Sequence, residues 1–292
     1  MREHTVTLPS GRVLQVREDG DPKGKPVFSL HGTPGSRLLN PQLVADAKSK
    51  GIRLIGYDRP GYGHSTPHPG RNKSDVAKDM ASIADILGID RFAVWGHSGG
   101  GAPALGCAAL LPKRVVAAAS FAGVAPFHAE GLDWMEGMGE LNIEDTKLAL
   151  SNPAAWLEKA KVERTQILGA TASDLLEVWK SLISEADRDA ITPQIVQFIL
   201  EQIQEGLRPG VDGYVHDNQA DLADWGFSVA DIRVPVQIWH GGRDNFVPFG
   251  HGQWLAAHIP NVEAHLLPSE GHITLLQRIP EAHRWFLSKF DR

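Results

Sequence analysis

A strand, a sharp turn and a buried helix are written into residues 92–112. The apolar run 92–95 leads into Gly96-His97-Ser98-Gly99-Gly100, and the small apolar stretch 102–111 leads out, stopped by Pro112. Glycines two positions either side of Ser98 fit such a turn, because side chains there would collide with the strand and the helix. The serine oxygen is then exposed in front of a helix N-terminus, a place that favours developing negative charge. Ser98 is the candidate nucleophile.

The rest of the chain supplies the setting. Residues 5–8 and 12–17 read as a hairpin around Pro9-Ser10-Gly11, and runs 27–30, 53–57 and 115–121 read as buried strands. Between them, 41–50 has helical composition. Ser74 is expected to cap a helix carrying Val76, Met80, Ile83 and Leu87 at a period near 3.6, ended by Gly88. Strands alternating with helices predict an α/β class, with a mostly parallel sheet covered on both faces.

The alternation stops near Ala125. Segments 142–150, 153–161, 173–186 and 192–205 read as helices with no strand between them. Strand character returns at 236–239 and 264–267, with helices near 251–258 and 280–290. The expected organisation is a core of residues 1–125 and 232–292 carrying a helical cap, or lid, at 126–231. Charge follows the same boundary. The chain has 29 basic and 35 acidic residues, a net −6. Residues 126–231 hold 20 acidic and 7 basic of these, which leaves +7 for the remainder. An acidic cap would disfavour anionic substrates.

A serine hydroxyl is a weak nucleophile near neutral pH and needs a base, which in turn needs an orienting acid. Thirteen histidines make histidine content uninformative, so position decides. Asp244, in His240-Gly241-Gly242-Arg243-Asp244, follows one predicted strand, and His272, in Ser269-Glu270-Gly271-His272, follows the next. Parallel strands bring both to the sheet edge that carries Ser98. His251, His258, His265 and His283 fall inside predicted helices or strands instead. The oxyanion of an acyl-transfer intermediate needs two backbone N–H donors. Gly99 and Thr33 are the candidates, since Pro34 has no N–H. His31, Gly32, His97 and Trp134 are candidates for contact with substrate, Trp134 through its place near Gly137 and Gly139. No cluster such as H-E-x-x-H and no phosphate-binding loop is present, so neither metal nor cofactor is expected.

His31-Gly32-Thr33-Pro34-Gly35, the segment from Asp58 to Ser65, the Ser98 pentapeptide, His240 to Asp244 and Gly271-His272 together resemble the α/β-hydrolase fold superfamily. The likeness is to lid-bearing serine hydrolases of the carboxylesterase and proline-iminopeptidase branch. It spans residues 5–290 apart from the insertion. It implies an eight-stranded sheet, a cap after strand six, and hydrolysis through an acyl-enzyme by Ser98, His272 and Asp244. Serine at the nucleophile position disfavours epoxide-hydrolase and haloalkane-dehalogenase chemistry. Gly99 stands where proline iminopeptidases carry tryptophan.

The expected activity is cleavage of a small to medium, neutral or cationic, partly apolar carboxylic ester. The alternatives are an amidase of the proline-iminopeptidase type, or a low-turnover ligand-binding relative. The mild acidity argues against nucleic acid. No apolar run reaches membrane-spanning length, and the polar start lacks a signal-peptide pattern. A single cysteine, Cys107, gives no disulfide framework. A cytoplasmic monomer or homodimer acting on a small molecule, with no membrane partner, is the expectation.

Overall fold

The computed structural model describes residues 1–290. Eight strands form one sheet: β1 (Arg2–Thr7), β2 (Val13–Gly20), β3 (Lys25–Leu30), β4 (Ile52–Tyr57), β5 (Phe92–His97), β6 (Val115–Phe121), β7 (Val236–Gly241) and β8 (Val262–Leu267). Their order is β1-β2-β4-β3-β5-β6-β7-β8. β2 runs antiparallel to both neighbours, and every other pairing is parallel.

The apolar runs exist because the central strands are covered twice. Along β5, Phe92 and Val94 enter one apolar cluster while Ala93 and Trp95 enter the other. This is the two-residue period of a strand buried on both faces. On the first face lie α2 (Asp75–Ile86), α3 (Gly101–Leu110) and α10 (Phe249–His258). On the second lie α1 (Pro41–Ser49) and α11 (Ile279–Phe290). Helix α3 is built of small residues because it lies hard against the sheet. A Cβ on Gly101 would overlap Ser120 Oγ and approach Gly123 Cα.

Among the described residues, six α-helices and no strand come between β6 and β7: α4 (Glu140–Ser151), α5 (Pro153–Leu168), α6 (Ala172–Val178), α7 (Glu185–Ala190), α8 (Pro193–Leu207) and α9 (Asp212–Leu222). The helix expected over 173–186 is in fact two. Leu182 and Ile183 turn inward to join the core cluster, which ends α6. Ser184 then caps α7 by accepting the Asp187 N–H at 3.2 Å. Helix α9 was not anticipated; its composition is polar and its apolar stripe weak. Ser74 also departs from expectation. It precedes α2 but makes no capping bond, because its backbone is already helical, φ −71° and ψ −26°, rather than in the extended conformation of a cap. After α9 the chain crosses the sheet with Trp225, Val229 and Ile232 buried, and β7 pairs with β6 from Ala118↔Val236 onward. Among the described residues no helix is long and apolar enough to cross a membrane.

Candidate active site

Strand β5 ends at His97, a 3-10 turn takes Ser98 to Gly100, and α3 begins at Gly101. Ser98 has φ 55°, left-handed backbone that a side chain rarely adopts. The flanking glycines are sterically required. A Cβ on Gly96 would overlap Gly100 O, and one on Gly100 would overlap Leu30 O. Gly99 is as tightly placed, for its Cβ would strike Thr33 Oγ1. The two residues whose N–H groups were expected to face one oxyanion are therefore neighbours.

The Thr33 loop leaves the end of β3 and is held mainly by Arg59. The Arg59 backbone N–H donates to His31 Nε2 at 3.1 Å, so the His31 proton sits on Nδ1, which donates to Gly32 O at 2.7 Å. Burial, reinforced by the Arg59 charge, keeps His31 neutral, well below the usual histidine range. The Arg59 guanidinium donates to His31 O, to Gly32 O at 3.0 Å and to Thr33 Oγ1 at 3.0 Å. Asp217, from α9, closes the network. Its Oδ2 accepts from Arg59 Nη2 at 2.5 Å, Tyr62 OH at 2.9 Å and Thr33 Oγ1 at 3.1 Å, while Oδ1 pairs with Arg71 at 2.5 Å. Burial works against the Asp217 charge, but Arg59, Arg71 and Lys73 hold the carboxyl well below its usual range.

Asp244 and His272 meet at the neighbouring edge. His272 Nδ1 lies 2.7 Å from Asp244 Oδ2, and the other carboxylate oxygen accepts the N–H groups of Phe246 at 2.8 Å and Val247 at 2.9 Å. Burial opposes ionisation of Asp244. The His272 charge and hydrogen bond, His240 and the Val247 N–H outweigh it, and the carboxyl is lowered. Phe246 stacks on the imidazole, ring centroids 4.5 Å apart. His97 Nε2 donates to His272 O at 3.0 Å, and burial together with His272 pushes His97 down to about 3. A second base at His97 is thereby disfavoured, and it stands as a wall residue. Among the described residues no hydrogen bond engages the Ser98 hydroxyl.

Ser98 lies where two cavities meet. The smaller, about 120 Å³, is lined by His31, Gly32, His97 and His272 and runs down beside Leu54 and Trp95. The larger, about 680 Å³, opens between Phe246 and the inserted helices, with Asp145, Glu163 and Tyr214 on its wall. Trp134 lines neither. Its indole N–H donates to Ala125 O at 2.9 Å and its ring packs edge-on against His251. The insertion's tryptophan at the site is Trp179, present in both cavities. Of Trp134 and Trp179, only the second follows the helix end at Val178, where the chain turns in toward the core. Asp187 and Asp217 were also missed. Only the pair Ser184 and Asp187, three apart, left a capping signature in the sequence.

The family model for the alpha/beta hydrolase fold matches residues 25–279. A 2-hydroxy-6-oxononadienedioate/2-hydroxy-6-oxononatrienedioate hydrolase of Pseudomonas putida is 28% identical, covering 84% of this chain and 80% of its own. A proline iminopeptidase of Xanthomonas citri is 26% identical, with 93% and 90% covered. Among solved structures, an esterase of Thermogutta terrifontis superposes with TM-score 0.69 at 19% identity, 99% of each chain covered. With its eight-stranded sheet, its serine at a strained strand-to-helix turn and a family match over most of its length, the chain belongs to the α/β-hydrolase fold family.

Proposed function

We propose that this chain is a serine hydrolase of carboxylic esters, working through an acyl-enzyme. The observation that carries the reading is the 2.7 Å bond between Asp244 and the His272 ring beside a left-handed Ser98. Ser98 Oγ attacks the ester carbonyl while His272 Nε2 takes its proton. The oxyanion forms against the Thr33 and Gly99 N–H groups. The imidazolium, held by Asp244, returns the proton to the leaving alcohol. Water then attacks the acyl-enzyme with His272 again as base, Ser98 regains its proton, and the acid leaves.

Residues 126–231 act in this reading as a cap over Ser98. The small apolar cavity takes one part of a small to medium ester and the larger cavity takes the other. At the larger cavity Asp145, Glu163 and Asp174 outnumber Arg164 and Lys159, which pairs with the first two, and this excess of one negative charge favours a neutral or cationic substrate over an anionic one. That separates this site from the Pseudomonas relative, whose named substrates are dioates. A fluorophosphonate probe should label wild type at Ser98 and leave Ser98→Ala unlabelled. Equal labelling of the two would sink the assignment. A p-nitrophenyl ester series of increasing acyl length then reads the size of the acyl site.

A second reading is an amidase of the proline-iminopeptidase type. The long match to the Xanthomonas enzyme and the acidic wall favour it. Faster turnover of proline p-nitroanilide than of any p-nitrophenyl ester would replace the ester reading with this one. A labelling burst followed by negligible release would point to a ligand-binding relative.

A further inference from the structure

Three parts of the molecule fix His272. Asp244, after β7, takes the Nδ1 side of its ring; His97, before Ser98, donates to its carbonyl oxygen; and Asp187, from α7, takes its backbone N–H at 3.1 Å. Asp187 does more than this one bond. Its carboxylate also accepts the N–H of Ile273 at 2.6 Å, the N–H of Thr274 at 3.1 Å and the Ser184 hydroxyl at 2.8 Å. Three consecutive backbone donors thus converge on one buried anion, a strong and directional arrangement. The carboxylate is fully buried and lies so close to Gly271 that a Cβ there would overlap it. The residue before His272 must be glycine because Asp187 occupies the space.

We infer that Asp187 is a positioning residue for the base, supplied by the helical insertion, so that the seat of α7 sets how His272 faces Ser98. The inference rests on the ester-hydrolase reading of Ser98, His272 and Asp244. Among the described residues, Asp187 is the insertion's only hydrogen-bond partner of His272. A shift of α7 therefore moves the base relative to a nucleophile that the insertion does not hold. Displacement of about 1 Å in such a pair costs about 100-fold in rate.

The test measures kcat and KM for p-nitrophenyl acetate in Asp187→Asn and Asp187→Ala, with thermal unfolding of each. Asparagine keeps the shape and one acceptor, but turns an amide N–H₂ toward a backbone donor. Asp187→Ala should lower kcat about 100-fold and Asp187→Asn about 10-fold, with KM within about threefold. The cycle with His272→Ala separates positioning from bulk stability. In that background Asp187→Asn should change the residual rate less than about twofold, since no base remains to be positioned. An equal fall in both backgrounds overturns the inference, as does a kcat unchanged in Asp187→Asn. If Asp187→Ala does not fold, Ser184→Ala loosens the same carboxylate and should lower kcat a few-fold; no change there counts against the inference. Ser98→Ala and His272→Ala keep the two readings apart. Wild-type turnover in either overturns the triad itself. Loss in both, with Asp187 variants fully active, overturns only the role of Asp187.

Discussion

In the α/β layers the groups buried against one another are apolar: Val27, Phe28, Ala93 and Val94 are fully covered on adjacent strands. Where the inserted helices meet those layers, charged groups are buried beside apolar ones such as Leu182, Ile183 and Trp225. Asp217 faces Arg59 and Arg71, Asp221 faces Lys73 at 2.7 Å, and Glu205 faces Arg37 at 2.8 Å. Apolar burial is non-directional and supplies bulk stability. Buried ion pairs lose much of their attraction to desolvation, but they tolerate few alternative arrangements. The body is held by area, and the insertion by area together with aim. The charge split between the two regions gains an internal meaning from this. Part of the acidic excess of 126–231 is turned inward onto arginines and a lysine of the body rather than outward to solvent or substrate.

The largest effect should come from the body. Asp244→Asn removes the acceptor for the His272 ring and should lower kcat about 10⁴-fold, read by steady-state ester hydrolysis. A loss under tenfold would mean that the chemistry does not depend on this bond. Next is the interface. Asp217→Ala leaves Arg59 and Arg71 buried without their partner and should cost about 3–5 kcal/mol in urea unfolding. A cost below about 1 kcal/mol would show that the ion pairs do not hold the insertion.

The pH dependence sharpens the same contrast. Asp217 is depressed well below its unfolded value of about 3.9, so its contribution is complete above about pH 5 and is lost as pH falls through the folded value. The stability gap between wild type and Asp217→Asn should therefore narrow steadily below about pH 4. A gap that stays constant down to pH 3 would contradict this assignment of charge. The smallest effect concerns the larger cavity. A neutral ester should exceed a matched anionic one about threefold in kcat/KM at low salt, fading toward parity at about 0.5 M salt. Identical salt dependence for both would leave the acidic wall without influence on substrate choice.

What could be read from sequence follows from how locally each feature is encoded. The strands announce themselves by short apolar runs, and the crowding at Gly96 and Gly100 makes the Ser98 turn a five-residue signature. Asp244 and His272 were legible because each lies just past a strand end, where parallel topology leaves little freedom. Asp187 and Asp217 were not. Apart from Ser184, three residues before Asp187, the partners that place them at the site lie 85 to 184 residues away along the chain, and a local capping pair does not mark a carboxylate as buried. Trp134 misled for a related reason. Tryptophan in a glycine-rich segment suits a pocket wall and a packed corner equally, and the acceptor at Ala125 that decides between them is a backbone oxygen any residue could offer. The single helix expected over 173–186 failed because Leu182 and Ile183 extend the apolar pattern while serving a different surface.

The pairing of β6 with β7 also shapes how the molecule is made. Ala118 and Val236 are partners in the sheet, yet about two fifths of the chain separates them. Closing such a loop costs about 2 kcal/mol more entropy than closing a crossover of about 15 residues. Folding routes that form β1 to β6 first face that closure last, with one edge of β6 open in the meantime. Helices that gather early around Leu175, Val196 and Leu200 shorten the loop before it must close. The helices between β6 and β7 thereby also set the pace at which the sheet can be completed.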